Sequence, residues 1–131
     1  MHIAAKTRIN YILRMSNLIG AMATFDEFAK LDIRVGKVLG VEDHEAARKP
    51  MYKLTIDFGQ EIGQRLIIAG IKPWYPKEEL INKKVVCIVN LDPKAIAGIE
   101  SHGMVLAADD NADMVTLLTV DRDIAEGSKV R

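Results

Sequence analysis

From Ile33 onward the chain alternates between short apolar runs and clusters of turn-forming residues. Ile33–Val41, Tyr52–Phe58, Arg65–Ile71, Lys84–Asn90, Met104–Ala108 and Val115–Thr119 are rich in Val, Ile, Leu and aromatic residues and have the length of strands. Asp57-Phe58-Gly59 and Asp109-Asp110-Asn111 between them are turn signals, because Asp and Asn side chains bond nearby backbone. Two short helices are predicted. Thr24-Phe25-Asp26-Glu27 has the form of a capping box, which starts a helix running to about Lys30. Pro76-Lys77-Glu78-Glu79-Leu80 predicts one or two turns between the third and fourth strands, with Pro76 at the first position, where a missing N–H costs nothing.

Six or so short strands with one helix between the third and fourth predict an all-β fold. The plan expected is a five-stranded Greek-key barrel of the oligonucleotide-binding (OB) type, with short helices and a C-terminal extension. Residues 1–23 follow a different pattern. They carry Lys6, Arg8 and Arg14 without an acid, and Ile9, Ile12, Leu13 and Leu18 recur at loosely helical spacing. A secretory signal needs an unbroken apolar stretch, and Arg14, Ser16 and Asn17 interrupt this one. Residues 1–23 are therefore expected to be an extension, with Met22 as a natural start, preceding one domain over 24–131.

Composition narrows the function. With 131 residues the chain has room for one core, and no apolar run approaches the ~20 residues of a membrane span. The single cysteine, Cys87, excludes an internal disulfide and suits a reducing, cytoplasmic setting; within Val85-Val86-Cys87-Ile88-Val89 it reads as a buried, inert thiol. Net charge is zero, which argues against a nucleic-acid binder unless the basic residues gather on one face. The chain has no phosphate-binding glycine loop, and His2, His44 and His102 are scattered without zinc-ligand spacing. His44-Glu45 and Glu100-Ser101-His102 fall in predicted loops without a third group to orient a base, so a solvated histidine is expected at each. No enzyme, no metal and no cofactor is expected.

Binding chemistry is better represented. Arg34, Lys37, Lys53, Arg65, Lys72, Lys84 and Lys94 lie on or beside predicted strands. Alternation against Ile33 and Val35 turns Arg34 outward, and Lys53 alternates with Leu54 and Ile56, with Tyr52 sharing its outer face. Trp74-Tyr75, just before the proline-started helix, is expected to cover the barrel end rather than stack on bases. The chain also carries, in order, Leu31-Asp32-Ile33-Arg34-Val35-Gly36-Lys37-Val38, Ala69-Gly70-Ile71 and Glu78–Val86. Then come Asn90-Leu91-Asp92-Pro93-Lys94, Gly98–Ala108 and Asp121–Lys129. In that order these motifs resemble the tRNA-binding domain appended to many methionyl-tRNA synthetases and also found free-standing.

That resemblance covers residues 25–131. It implies an OB barrel, recognition of folded tRNA by shape and phosphate contacts, a homodimer, and an aminoacyl-tRNA synthetase as a partner in trans. By resemblance Asn90, Ser101 and Met104 are assigned to the binding groove, with Arg34, Lys53 and Lys94 as phosphate-facing cations. Each of the first three has a plainer role open to it: Asn90 capping a strand end, Ser101 closing a turn, Met104 filling the core. The segment Glu42–Gly59 resembles instead CsaA, a dimeric secretion-related chaperone on the same barrel, so binding of unfolded polypeptide is the alternative. The loop after Asn90 reads Lys94-Ala95-Ile96-Ala97, with one lysine where the tRNA-binding relatives carry several.

Overall fold

The computed structural model describes residues 21–131; of the extension expected over residues 1–23, residues 1–20 lie outside them. The chain divides into two compact units, residues 1–30 and 31–131. In the first, helix α1 (Phe25–Ala29) opens on the capping box: Thr24 Oγ1 accepts from Glu27 N–H at 3.1 Å while Glu27 Oε1 accepts from Thr24 N–H at 3.0 Å. Two backbone donors at the helix start, those of Thr24 and Glu27, are thus satisfied locally.

The second unit is the barrel. Its strands are β1 (Ile33–Asp43), β2 (Tyr52–Asp57), β3 (Gln64–Ala69), β4 (Lys84–Ile88), β5 (Lys94–Ile96), β6 (Ile99–Ser101), β7 (Met104–Val105), β8 (Ala107–Asp109) and β9 (Val115–Leu117). Short helices α2 (Gly59–Ile62) and α3 (Lys77–Leu80) interrupt them. The main sheet runs β3-β2-β1-β4-β7, antiparallel throughout, and β5–β6 and β8–β9 are separate hairpins. The nearly closed five-stranded barrel is the OB-like architecture expected. The β5–β6 hairpin and α2 had no signal in the apolar pattern.

Inside the barrel lie Val38, Leu54, Ile56, Phe58, Ile67, Val85 and Cys87, with Leu80 of α3 plugging one end. Burial of Cys87 pushes its thiol up to about 12, so it stays protonated and inert. Gly36 lets β1 pass over this core, since a Cβ there would stand 2.5 Å from Ile56 Cγ2 and 2.6 Å from Phe58 Cε1. A bulge at Leu39 shifts the register, so the inward positions are Gly36 and Val38 before it and Val41 after it. Arg34 pairs with inward Cys87 and therefore shares the inward face, not the outward one expected. Tyr52 is likewise buried, its hydroxyl donating to Tyr75 O at 2.8 Å.

Ile33 is apolar for a different reason. With Val86 and Ile88 it forms a second cluster on the outer face, packed by Leu31, Leu106 and Val130. The C-terminal residues 127–130 run along β1 as a strap: Val35 N–H donates to Ser128 O, Gly127 N–H to Val35 O, and Val130 N–H to Ile33 O. Lys84 fastens its approach, donating to Ile124 O and lying 3.2 Å from Asp123 and 3.4 Å from Glu126.

The strap needs Gly127, whose φ is +88° and whose Cβ would fall 2.4 Å from Phe58 O. Gly127→Ala is expected to cost about 2–4 kcal/mol, adding overlap to the ~1–2 kcal/mol of a left-handed alanine. The melting temperature read by circular dichroism should drop by ~10 °C or more. Gly98→Ala, at φ +85° but with open space around it, should cost only ~1 kcal/mol. Equal shifts in the two variants would show that the close approach to Phe58 does not matter.

Candidate nucleic-acid interface

One end of the barrel carries an open groove of about 580 Å³ lined by Gln64, Arg65, Asn90, Leu91, Pro93 and His102, among others. Of the two arginines on the barrel strands, Arg65 lines this groove and Arg34 does not. Arg65 donates to Val89 O. Arg34, 12% exposed at its side chain, holds Asp32 at 2.6 Å, Glu61 of α2 at 3.4 Å and Gly127 O at 3.0 Å. Asp32 first, then Glu61, raises its pKa above the ordinary arginine value. Its donors are thus turned to tying β1, α2 and the strap together. Asn90 Oδ1 accepts from Asp32 N–H at 2.8 Å, so Asn90 caps the start of β1 while lining the groove.

The groove's rim leads into the β5–β6 hairpin, whose first residue is the exposed Lys94. The tip, Ala97-Gly98, has φ of 48° and 85°, as a two-residue type I′ turn requires. At the base, Ser101 pairs with Lys94 and is 4% exposed. Its hydroxyl accepts from Ile68 N–H at 2.9 Å and donates to Gly103 O at 3.2 Å. The expected phosphate donor therefore works inside the fold, as the latch between β3 and the hairpin.

Lys53 and Met104 lie elsewhere. Lys53 is on the outer face of β2, opposite Ile68 and 3.5 Å from Glu42. Met104, 45% exposed, lines a second groove of about 480 Å³ with Ile68, Trp74, Leu106 and Val115. Of the six expected site residues, Asn90 lines the first groove and Met104 the second, while Arg34, Lys53, Lys94 and Ser101 line neither. Tyr75 packs against the core, its Oη accepting from Leu117 N–H at 3.0 Å, while Trp74, which donates to Asp113 O at 2.8 Å, lines the second groove.

The two histidine expectations part company. His102 is exposed, 3.7 Å from Glu100. His44 is buried at 4%, with Nε2 2.7 Å from Ile96 O, and is not the solvated histidine expected. An apolar tract around it would have signalled this, and Asp43 and Glu45 on either side hide it. Among the described residues no cluster of His, Cys, Asp and Glu could hold a metal ion. No described helix is long and apolar enough to cross a membrane.

Residues 33–129 match the family described as "Putative tRNA binding domain". The chain belongs to that family. It is 49% identical over 107 residues to a methionine–tRNA ligase of Pyrococcus horikoshii, a match that spans 82% of this chain but 14% of the ligase. Among solved structures, a CsaA chaperone protein of Picrophilus torridus superposes at a TM-score of 0.79 with 45% identity, covering 84% of this chain and all of that one. A protein of Pyrococcus horikoshii described as MetRS-related superposes at 0.76 with 36% identity, covering 84% and 98%. This tRNA-binding-family barrel is thus similar both to a synthetase appendage and to a chaperone.

Two stability changes follow from the hairpin geometry. Ser101→Ala would leave the Ile68 N–H unpaired at a buried site, at a cost of about 1–3 kcal/mol, measurable as a lower denaturation midpoint. Ala97→Asn would place Asn-Gly in the type I′ turn and should raise stability by up to ~1 kcal/mol. A Ser101→Ala protein as stable as the parent would remove the latch from the account.

Proposed function

We propose that this chain is a non-catalytic module that binds folded tRNA through phosphate contacts, acting in the cytoplasm and working in trans with a methionyl-tRNA synthetase. The observation that carries this reading is the exposed Lys94, on a hairpin rigidly latched beside the groove that holds Arg65, Asn90 and His102. Membership of the tRNA-binding domain family supports it. Asn90 and Lys94 are the proposed contacts at this groove, Arg34 and Ser101 shape the site from within, and Lys53, paired with Glu42 on β2, lies apart from it. Phosphate and ribose contacts carry little sequence information, so the ligand is read by form.

A second reading, binding of unfolded polypeptide, is favoured by the groove beside Met104, lined by Ile68, Ile71, Leu106 and Val115, and by the likeness to a CsaA chaperone. The proposed assembly is a homodimer, supported by the apolar side chains of Met104, Met114 and Leu118 left at the surface. Sedimentation equilibrium showing only a 14.5-kDa species would overturn it.

Binding of labelled tRNA, followed by fluorescence anisotropy, should weaken steeply with salt, with a log–log slope of about −2 to −4 for roughly three to five phosphate contacts. Lys94→Gln should weaken it several-fold with an unchanged melting temperature. Absent tRNA binding at low salt, alongside clear binding of an unfolded polypeptide, would transfer the assignment to the second reading.

A further inference from the structure

The loop between β1 and β2, residues 44–51, carries Arg48 and Lys49, both exposed. Neither forms an ion pair with a described residue. Their neighbours contrast with them. Lys72 and Lys77 lie 2.9 Å and 3.0 Å from the two carboxylate oxygens of Asp43, which Lys72 first and then Lys77 holds below the usual carboxylate range. Asp43 is thus committed to two lysines, and Glu45, the one acid of the loop itself, acts on Lys72 and forms no ion pair with Arg48 or Lys49.

The loop is also held in place. His44 N–H donates to Met51 O at 3.0 Å, closing its base, and Ala47 N–H donates to His44 O at 3.1 Å, turning it. The buried imidazole reaches across to the other hairpin, Nε2 lying 2.7 Å from Ile96 O. A carbonyl oxygen only accepts, so Nε2 carries the proton and donates. Ile96 sits directly before the Ala97-Gly98 turn, at the far end of the hairpin that begins with Lys94. One bond therefore joins the tip of that hairpin to the loop bearing Arg48 and Lys49. In OB barrels the corresponding loops bracket the binding face.

We infer that His44 is a positioning residue: by holding loop 44–51 against the Lys94 hairpin it sets Arg48 and Lys49 to meet the phosphates of the same ligand as a second arm of the interface. This rests on the RNA reading above and adds the arm that reading lacks. Its ligand class is the phosphodiester backbone of folded RNA, with no base preference. Held by His44, the arm need not be ordered at the moment of binding, which removes part of the entropic cost of association.

The test uses the full chain and labelled tRNA across a salt series. Arg48→Gln/Lys49→Gln should weaken binding about tenfold at low salt and make the log–log slope shallower by roughly 1–2, two contacts at ~0.7–0.9 each, with an unchanged melting temperature. His44→Ala should weaken binding by a similar factor and speed hydrogen exchange at residues 95–99 while β2 and β3 stay protected. His44→Gln, whose side-chain N–H can reach the same carbonyl, should recover most of the affinity. In the His44→Ala background the Arg48→Gln/Lys49→Gln change should cost clearly less than in the parent. If His44→Ala does not fold, the His44→Gln and double-glutamine variants carry the test. Parental affinity and slope in the double variant, with Lys94→Gln still weakened, would overturn the arm and leave the RNA reading intact. Equal losses in His44→Ala and His44→Gln would overturn the positioning role. A parent chain that binds no tRNA would overturn both.

Discussion

The outer edge of β3 is the constraint on which the barrel and its interface both depend. β2 satisfies one edge of this strand, and an unpaired second edge would leave a row of backbone donors and acceptors open to other chains. Only part of that edge meets backbone, where His102 N–H reaches Leu66 O at 2.9 Å. At Ile68 the partner is the hydroxyl of Ser101. Gly103 follows, at φ +148°, where a Cβ would stand 2.9 Å from both Ile67 Cδ1 and Ile88 O. Ser101 and Gly103 together bring the returning chain close enough to close the barrel. The same approach fixes the base of the β5–β6 hairpin, and hence where Lys94 stands relative to the groove of Arg65, Asn90 and His102.

Strand positions were legible in the sequence because the barrel interior imposes a period of two on apolar residues. What periodicity alone does not reveal is which of two apolar layers a residue serves. Ile33 and Val35 look like core positions, yet Ile33 faces outward and is covered by the 127–130 strap, more than ninety residues along the chain. Assigning them to the interior turned Arg34 the wrong way. The bulge at Leu39 then swaps the inward set within the same strand. The β5–β6 hairpin escaped notice because Lys94-Ala95-Ile96 has no alternating apolar face, its place being fixed by Ser101 and His44 rather than by burial. Candidate chemistry was less legible for the same reason. Ser101 looks like a ligand donor until its two hydrogen-bond partners are seen, and His44 looks solvated until its burial is.

A neutral chain can still present a basic interface if its acids are spent elsewhere. Here several cations are matched: Arg34 to Asp32 and Glu61, Lys53 to Glu42, Lys72 and Lys77 to Asp43, Lys84 to Asp123 and Glu126. These pairs fasten the fold. At Lys84, burial by itself lowers the pKa, and Asp123 and Glu126 more than offset it. Arg48 and Lys49 lie instead on the β1–β2 loop and Lys94 opens the β5–β6 hairpin, where no described carboxylate pairs with them. Their field extends only about a Debye length, ~8 Å at physiological salt, so local segregation governs binding more than the chain's total.

The likeness to both a synthetase appendage and a chaperone acquires a physical meaning from this segregation. The groove around Met104, Trp74 and Leu106 offers apolar surface, and the loop end around Lys94 offers charge. An unfolded polypeptide would gain chiefly from the former, because burial of apolar area is non-directional and is strengthened rather than weakened by salting-out ions. Folded RNA gains from the latter, because its phosphates release counterions to each cation they meet. Both surfaces hang on one element, since Ser101 and Gly103 lead directly into Met104. A barrel whose closure fixes both at once can pass from one ligand chemistry to the other by changes of loop charge alone, leaving the core untouched. Lys94-Ala95-Ile96-Ala97, with its single lysine, is the place where such a change would be written.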